Sequence, residues 1–563
     1  MFRPLLLAAA LSLPAPAVLA DVNPGAYLAA RQAQMDNDYR EATRYLTQAM
    51  LQDPNNLAIL EQLTGAFMSL GEIDRADTIA LRLAQEGGTS QLANLALLTE
   101  RAKQGDWADI LADMDAGMTV GPLFDGLAKA WALIGDRQVD AALAAFDAVA
   151  EEDGLAAYGT YHKGLALASL GRFDEAEALF STDDLQLTRR GLMAHAQVLT
   201  QVGRFDEAAA VLDAGFGGGT LDAPLTAMKE AIAEGQTLDF TIAPDATAGT
   251  AELAFDIANV LLSEAAPAYT LLYGRVVEYL RPDHVEALLM NTSLLEQLEQ
   301  YDLAIEALAA VPEDDPAFTA AEVGRAEILA TAGRPEEGIA VLRQMAEEHP
   351  DVAMVHMTLG DALRNEEMYA EAQEAYTDAI DLFSGDEPDF WVAFFARAVT
   401  HERLDDWPAA KSDFRRALDL NPDSPAVLNY LGYSMLERGE DFEEALSMIE
   451  RAVEARPQSG AIVDSLGWGL YRLGRFDEAV EPMERAVALM PVDPVVNDHL
   501  GDVYWMVGRK LEARFQWQRA LSFVENDQND EVDPDRIRRK LEVGLDVVLE
   551  EEDGTPLVAE DGG

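Results

Sequence analysis

Apolar positions along Ser459–Pro491 recur with the spacing of two amphipathic helices. Leu466, Gly467, Leu470 and Leu473 make one stripe, and Phe476, Ala479, Val480, Met483, Ala486, Val487 and Leu489 make another. Gly474 marks the end of the first helix. Pro491 marks the end of the second, because proline cannot continue the hydrogen-bond ladder. A hairpin of this size cannot hide both stripes on itself, so it must stack against copies of itself.

The copies are in the chain. Ala417, Ala452, Ala486 and Ala520 stand 35, 34 and 34 residues apart, Gly432, Gly467 and Gly501 stand 35 and 34 apart, and so do Pro422, Pro457 and Pro491. Small residues such as Gly467, Ala479 and Ala486 set how closely neighbouring helices approach, while Leu466, Leu470 and Met483 fill the gaps. The period is that of the tetratricopeptide repeat. The chain resembles that family from about Asn23 to Glu525, most closely over Ser424–Phe523. The resemblance implies an all-α superhelical solenoid of about 13–14 helix-turn-helix repeats closed by a capping helix.

In chain order, residues 23–215 read as an N-terminal array. Its clearest turns are Leu170–Ala176 and Val202–Ala208, near duplicates of Leu473–Ala479. The period breaks over 216–249, where Gly217, Gly218 and Gly219 precede a helical Ala223–Glu234 and an alternating, extended Leu238–Ile242. This segment is either a joint between two halves or a degenerate repeat with a long loop. Residues 250–527 read as a second array, and 533–551 as one capping helix with Ile537, Leu541, Leu545, Val548 and Leu549 on its apolar side. The acidic tail 552–563 is expected to be disordered.

Charge narrows the partners. A formal net charge of −60 over 563 residues disfavours nucleic acid and anionic membrane and favours basic or neutral proteins. The same charge also fits a heavily solvated surface. Cysteine is absent, which removes disulfides, thiolate metal sites and a lipid attachment point. Residues 1–20 have Arg3, an apolar run from Leu5 to Leu13 and a small-residue Val18-Leu19-Ala20, the pattern of a secretory signal peptide. No stretch approaches the length of a transmembrane helix. The expectation is an exported, soluble, periplasmic chain without lipid.

In the tetratricopeptide family the first helices line a concave groove. Carried over, the groove positions hold Asn429, Tyr433, Asp464, Trp468, Tyr471, Arg472, Asp498, Asp502 and Trp505, an aromatic and acidic set suited to binding protein. For Tyr433 and Trp505, packing against the next repeat is the competing role. A narrower resemblance rests on Asp464–Arg475, Asn497–Asp502 and Arg514–Gln518. These runs are similar to exported bacterial tetratricopeptide proteins, some of which are adaptors for a periplasmic carboxy-terminal processing protease. Those are typically lipoproteins, and this chain has no cysteine to carry the lipid.

The repeats leave little room for a catalytic domain. His401-Glu402-Arg403-Leu404-Asp405 starts like a zinc-protease helix but has Asp405 where the second histidine belongs, so His401 reads as a first-helix residue. Gly217–Gly219 lacks the Lys and Ser/Thr of a phosphate loop. No enzyme activity, cofactor or metal is expected. The sequence points to an adaptor that gathers proteins, with a scaffold for an envelope assembly (secretion or polysaccharide export) as the alternative.

Overall fold

Stacking of helix pairs, which the apolar stripes demand, organises the whole chain. The computed structural model describes residues 24–182, 185–216, 223–383, 388–524 and 532–552. Among these residues are thirty-one α-helices and no strand: fourteen helix-turn-helix pairs, the single helix Ala223–Ala233, and a terminal pair. The signal-like segment 1–20, the Gly217–Gly219 connector and residues 553–563 lie outside the described residues.

Each turn is built by local chemistry. Gly171, Gly203 and Gly474 take the left-handed conformation at φ 72°, 78° and 72°, which costs glycine nothing. The arginine that follows reaches forward to a glutamate in the first turn of the second helix: Arg172 Nε lies 2.7 Å from Glu175, Arg204 Nε 2.6 Å from Glu207, and Arg475 Nε 2.8 Å from Glu478. Such exposed pairs add little stability, but they hold an acidic group at the positive end of the helix dipole. A second periodic contact links consecutive repeats. Arg451 donates to the Pro422 carbonyl at 2.8 Å, Arg519 to that of Pro491 at 2.7 Å, and Arg485 to that of Pro457.

Small residues mark the helix crossings, as the sequence implies. Ala417, Ala452, Ala486 and Ala520 are fully buried. A Cβ on Gly467 would lie 2.3 Å from Met483 Sδ, and one on Gly501 2.4 Å from the Trp517 ring.

The chain divides into two compact units at Val341/Leu342, and this corrects the boundary expected at 216–249. In the first unit, helices Ala246–Glu264 and Pro267–Leu280 pack back onto first helices of the N-terminal array: Leu57–Ser69, Gln91–Gln104, Pro122–Gly135 and Ala156–Ser169. One hydrophobic cluster runs from Ala30 to Ala287. Gly249 makes the approach possible, since a Cβ there would meet the Trp131 ring at 2.3 Å. A buried polar knot locks it. Arg190 Nε donates to both Glu252 oxygens at 2.9 Å, Tyr161 donates to Glu252 at 3.1 Å, and His162 bridges Trp131 and Asp256 at 3.1 Å each. Further out, Arg275 donates to Ser69 O at 3.1 Å and Lys103 to Tyr279 O at 2.8 Å.

Within the irregular stretch, helix Ala223–Ala233 forms as its sequence suggests. The alternating piece after it makes no sheet. Side chains of helix Arg189–Gln201 take the place of a ladder: Thr200 Oγ1 accepts from Leu238 N at 3.0 Å, Gln201 Nε2 donates to Leu238 O at 2.6 Å, and Gln197 exchanges two hydrogen bonds with Thr241 at 2.9 and 3.0 Å.

In the second unit, helix pairs from Ala353 to Val524 end in the cap. The cap is two helices, Pro534–Val543 and Leu545–Glu551, instead of the single helix expected over 533–551. Gly544 breaks it at φ 94°, where a Cβ would lie 2.4 Å from the Trp505 ring. Ile537, Leu545 and Val548 are buried, so the apolar stripe does close the array.

Candidate functional site

First helices Trp391–Arg403, Pro425–Glu437, Gly460–Arg472 and Pro494–Met506 carry the candidate groove in the second unit. Each is held by its own second helix, so the repeat spacing places equivalent residues in register. Asn429, Asp464 and Asp498 share one position, and Tyr433, Trp468 and Asp502 share the next turn.

A cavity of about 790 Å³ opens here, lined among others by Asn429, Tyr430, Tyr433, Asp464, Ser465 and His499. Two of its acceptors, Asn429 Oδ1 and Asp464 Oδ1, are buried without a hydrogen-bond partner. The other Asp464 oxygen lies 3.0 Å from His499 Nδ1. Burial pulls the His499 imidazole down, but Asp464, aided by Asp498 and Asp502, more than offsets this and raises it above its ordinary value.

The remaining predicted residues are already engaged. Trp468 stacks on His499 with centroids 3.9 Å apart and on Tyr471 at 4.7 Å, and its indole N–H donates to Glu437 at 3.0 Å. Arg472 donates to both oxygens of Glu437 at 2.7 Å. These two are half-buried and tied to each other through Glu437, which lines the cavity.

Tyr471, Asp498, Asp502 and Trp505, expected at groove positions, do not face an open groove. The cap covers them. Lys540, fully buried, donates to Asp498 at 2.8 and 3.0 Å and to Asp502 at 2.7 Å. Trp517 donates to Asp502 at 2.8 Å and Arg536 stands 3.7 Å from it. Burial pushes the Asp502 carboxyl up against the pull of Lys540, and burial likewise raises Tyr471. Trp505 packs on Trp517 at 5.3 Å and carries Lys510 over its face at 4.3 Å, so packing is its role. Tyr433 instead lines the cavity.

Sequence reasoning missed Glu437, His499 and Lys540. The first two had a readable signal: Glu437 and Arg472, like Asp464 and His499, are opposite charges one repeat period apart. Nothing local pairs Lys540 with Asp502, which lies 38 residues earlier. His401 is a buried first-helix residue, 3.7 Å from Asp413. No group of described residues has the makings of a metal site.

The repeats match a known family model. A tetratricopeptide repeat family model matches residues 127–182, 289–353, 357–425, 395–460 and 436–494. A TPR repeat-containing protein of Pseudomonas aeruginosa is 28% identical over 122 residues, which is 22% of this chain and 20% of that relative, so the match spans a fifth of its length. Among solved structures, the APC/C hetero-tetramer Cut9–Hcn1 is similar at 14% identity and a TM-score of 0.38, over 92% of this chain and 96% of that one. A tetratricopeptide repeat protein from Parabacteroides merdae is similar at 15% identity and a TM-score of 0.37, over 46% of this chain and 98% of its own. The matched segments of the chain are tetratricopeptide repeats, and such repeats bind other proteins.

Proposed function

We propose that the protein is an exported, non-catalytic adaptor that holds a periplasmic carboxy-terminal processing protease near envelope proteins. The observation that carries the binding role is the cavity lined by Asn429, Tyr433 and Asp464, whose buried acceptors lack partners. Such groups are costly to leave unpaired unless a ligand completes them. In the first unit, the first helices Leu57–Ser69, Gln91–Gln104, Pro122–Gly135 and Ala156–Ser169 are packed against Ala246–Leu280. Export is supported by the signal-like residues 1–20. No helix among the described residues is long and apolar enough to cross a membrane. Recruitment of the protease is supported by the resemblance of Asp464–Arg475, Asn497–Asp502 and Arg514–Gln518 to adaptors of such enzymes. An adaptor raises the local concentration of substrate around an enzyme without chemistry of its own.

The test mixes the purified chain with the host's carboxy-terminal processing protease and an envelope-protein fraction. The chain alone should cleave nothing, the pair should co-elute, and cleavage should accelerate. Absence of both association and acceleration sinks the adaptor reading. A stable complex with secretion or polysaccharide-export components in its place would identify an assembly scaffold.

A further inference from the structure

The chain displays in its own cap what the groove is built to hold. Asn429, Asp464 and Asp498 are the same position in three consecutive repeats, 35 and 34 residues apart. At Asp498 the position is filled: the Lys540 ammonium sits 2.8 and 3.0 Å from its oxygens and bonds Asp502 one turn on. Lys540 comes from Pro534–Val543, a helix with Arg536, Arg538 and Arg539 as well, in a chain of net charge −60. One repeat earlier Asp464 is 7% exposed, and its Oδ1 has no partner. Two repeats earlier Asn429 Oδ1 is likewise buried and unpartnered.

Building on the protein-binding reading of this groove, we propose that the cavity between Pro425–Glu437 and Gly460–Arg472 receives a lysine or arginine side chain of a partner segment, with Asp464 and Asn429 as its acceptors. A carboxylate offers acceptors only, so the unfilled Asp464 oxygen requires a donor, and a cationic donor bonds it about twice as strongly as a neutral one. His499 already takes the other oxygen, at 3.0 Å, so Oδ1 is the one left to the partner. Arg403 and Arg438 also line the cavity, but at the C-terminal ends of their helices, roughly 12 Å along the axis from Asn429. The acceptor end holds Asn429 and Asp464 beside His499, and the partner's cation enters there.

The test is a positional-scanning library of fluorescein-labelled decapeptides, each fraction fixing one amino acid at one position, measured by anisotropy against the full chain. Fractions with Lys or Arg fixed at the preferred position should bind at least about tenfold tighter than those with Leu or Glu. Asp464→Asn keeps an acceptor for His499 and should abolish most of that preference. Asn429→Asp adds a carboxylate and should strengthen it several-fold, a gain that unfolding cannot produce. Preference for acidic or apolar residues, or a Lys/Arg preference indifferent to both variants, overturns this inference and leaves the protein-binding reading standing. If no fraction binds, the inference falls. If the cavity variants also leave protein partners captured as before, the groove reading falls with it.

Discussion

Lys540 and Asp502 form a buried ion pair in which the ammonium lies 2.7 Å from both carboxylate oxygens and neither side chain reaches solvent. The pair joins the cap to the last full repeat, beside the buried Ile537, Leu545 and Val548. Lys540→Ala would leave Asp498 and Asp502 without their cation inside the protein. Removing one partner of such a buried pair costs about 3–5 kcal/mol. Urea unfolding followed by tryptophan fluorescence should show the second unit destabilised by that amount, with the far-UV signal of the first unit unchanged.

His499 should make the second unit sensitive to pH. Its imidazole is raised above the ordinary value, so the folded state holds the proton more tightly than the unfolded chain does. The stabilisation is fully present below the unfolded pKa of about 6.5. It is lost as pH rises through the folded value. Stability of the second unit should therefore fall across that window in wild type, and His499→Gln should flatten the fall. An unchanged pH profile in that variant would refute the assignment.

Asn429 separates binding from folding. Its Oδ1 is buried and unpaired, so Asn429→Leu removes a cost and should leave stability within about 0.5 kcal/mol of wild type or above it. Partner binding should weaken. Trp468→Ala behaves differently, because the ring is stacked on both His499 and Tyr471 and hydrogen-bonded to Glu437. Binding and melting temperature should both drop in that variant, as measured by titration and thermal unfolding.

The crossing at Gly467 is closed to larger residues. Gly467→Leu drives a side chain into Met483 and should cost about 1–3 kcal/mol or more. Leu470→Ala, a truncation of a buried side chain, should cost about 2–5 kcal/mol. Leu466 is only partly buried, so its truncation should cost less than that of Leu470. Urea titrations of the three variants rank them directly.

In the first unit, Glu252→Gln should unfold both sides of the polar knot together. Glu252 is 1% exposed and faces Arg190, which is 7% exposed. Loss of its charge leaves a buried guanidinium short of a counter-ion, at a cost of about 3–5 kcal/mol. Hydrogen exchange should rise in Arg189–Gln201 and in Ala246–Glu264 alike. Exchange rising on one side alone would mean that residues before 216 and after 246 fold as separate units.

Local order was legible because it is written in local chemistry. The period of Ala417, Ala452, Ala486 and Ala520, the stripe at Leu470 and Met483, and the glycines at 171, 203 and 474 were enough to fix helix type, pairing and the number of repeats. Each of these depends on neighbours within one hairpin or on the hairpin next to it. The same period put Asn429 and Asp464 in register on neighbouring helices, and both line the cavity with Tyr433.

What the tertiary structure alone decided is where distant surfaces meet. No repeat rule brings Gly249 against Trp131 or Arg190 against Glu252, and these contacts move the boundary between units from 216–249 to Val341/Leu342. Nor does a repeat rule predict that Lys540 enters the groove and closes it over Asp498 and Asp502 while leaving Asp464 open. Periodicity specifies which face of a helix is apolar and which residues share a register. It does not specify what covers a polar face, because that depends on shape and charge complementarity between segments far apart in the chain.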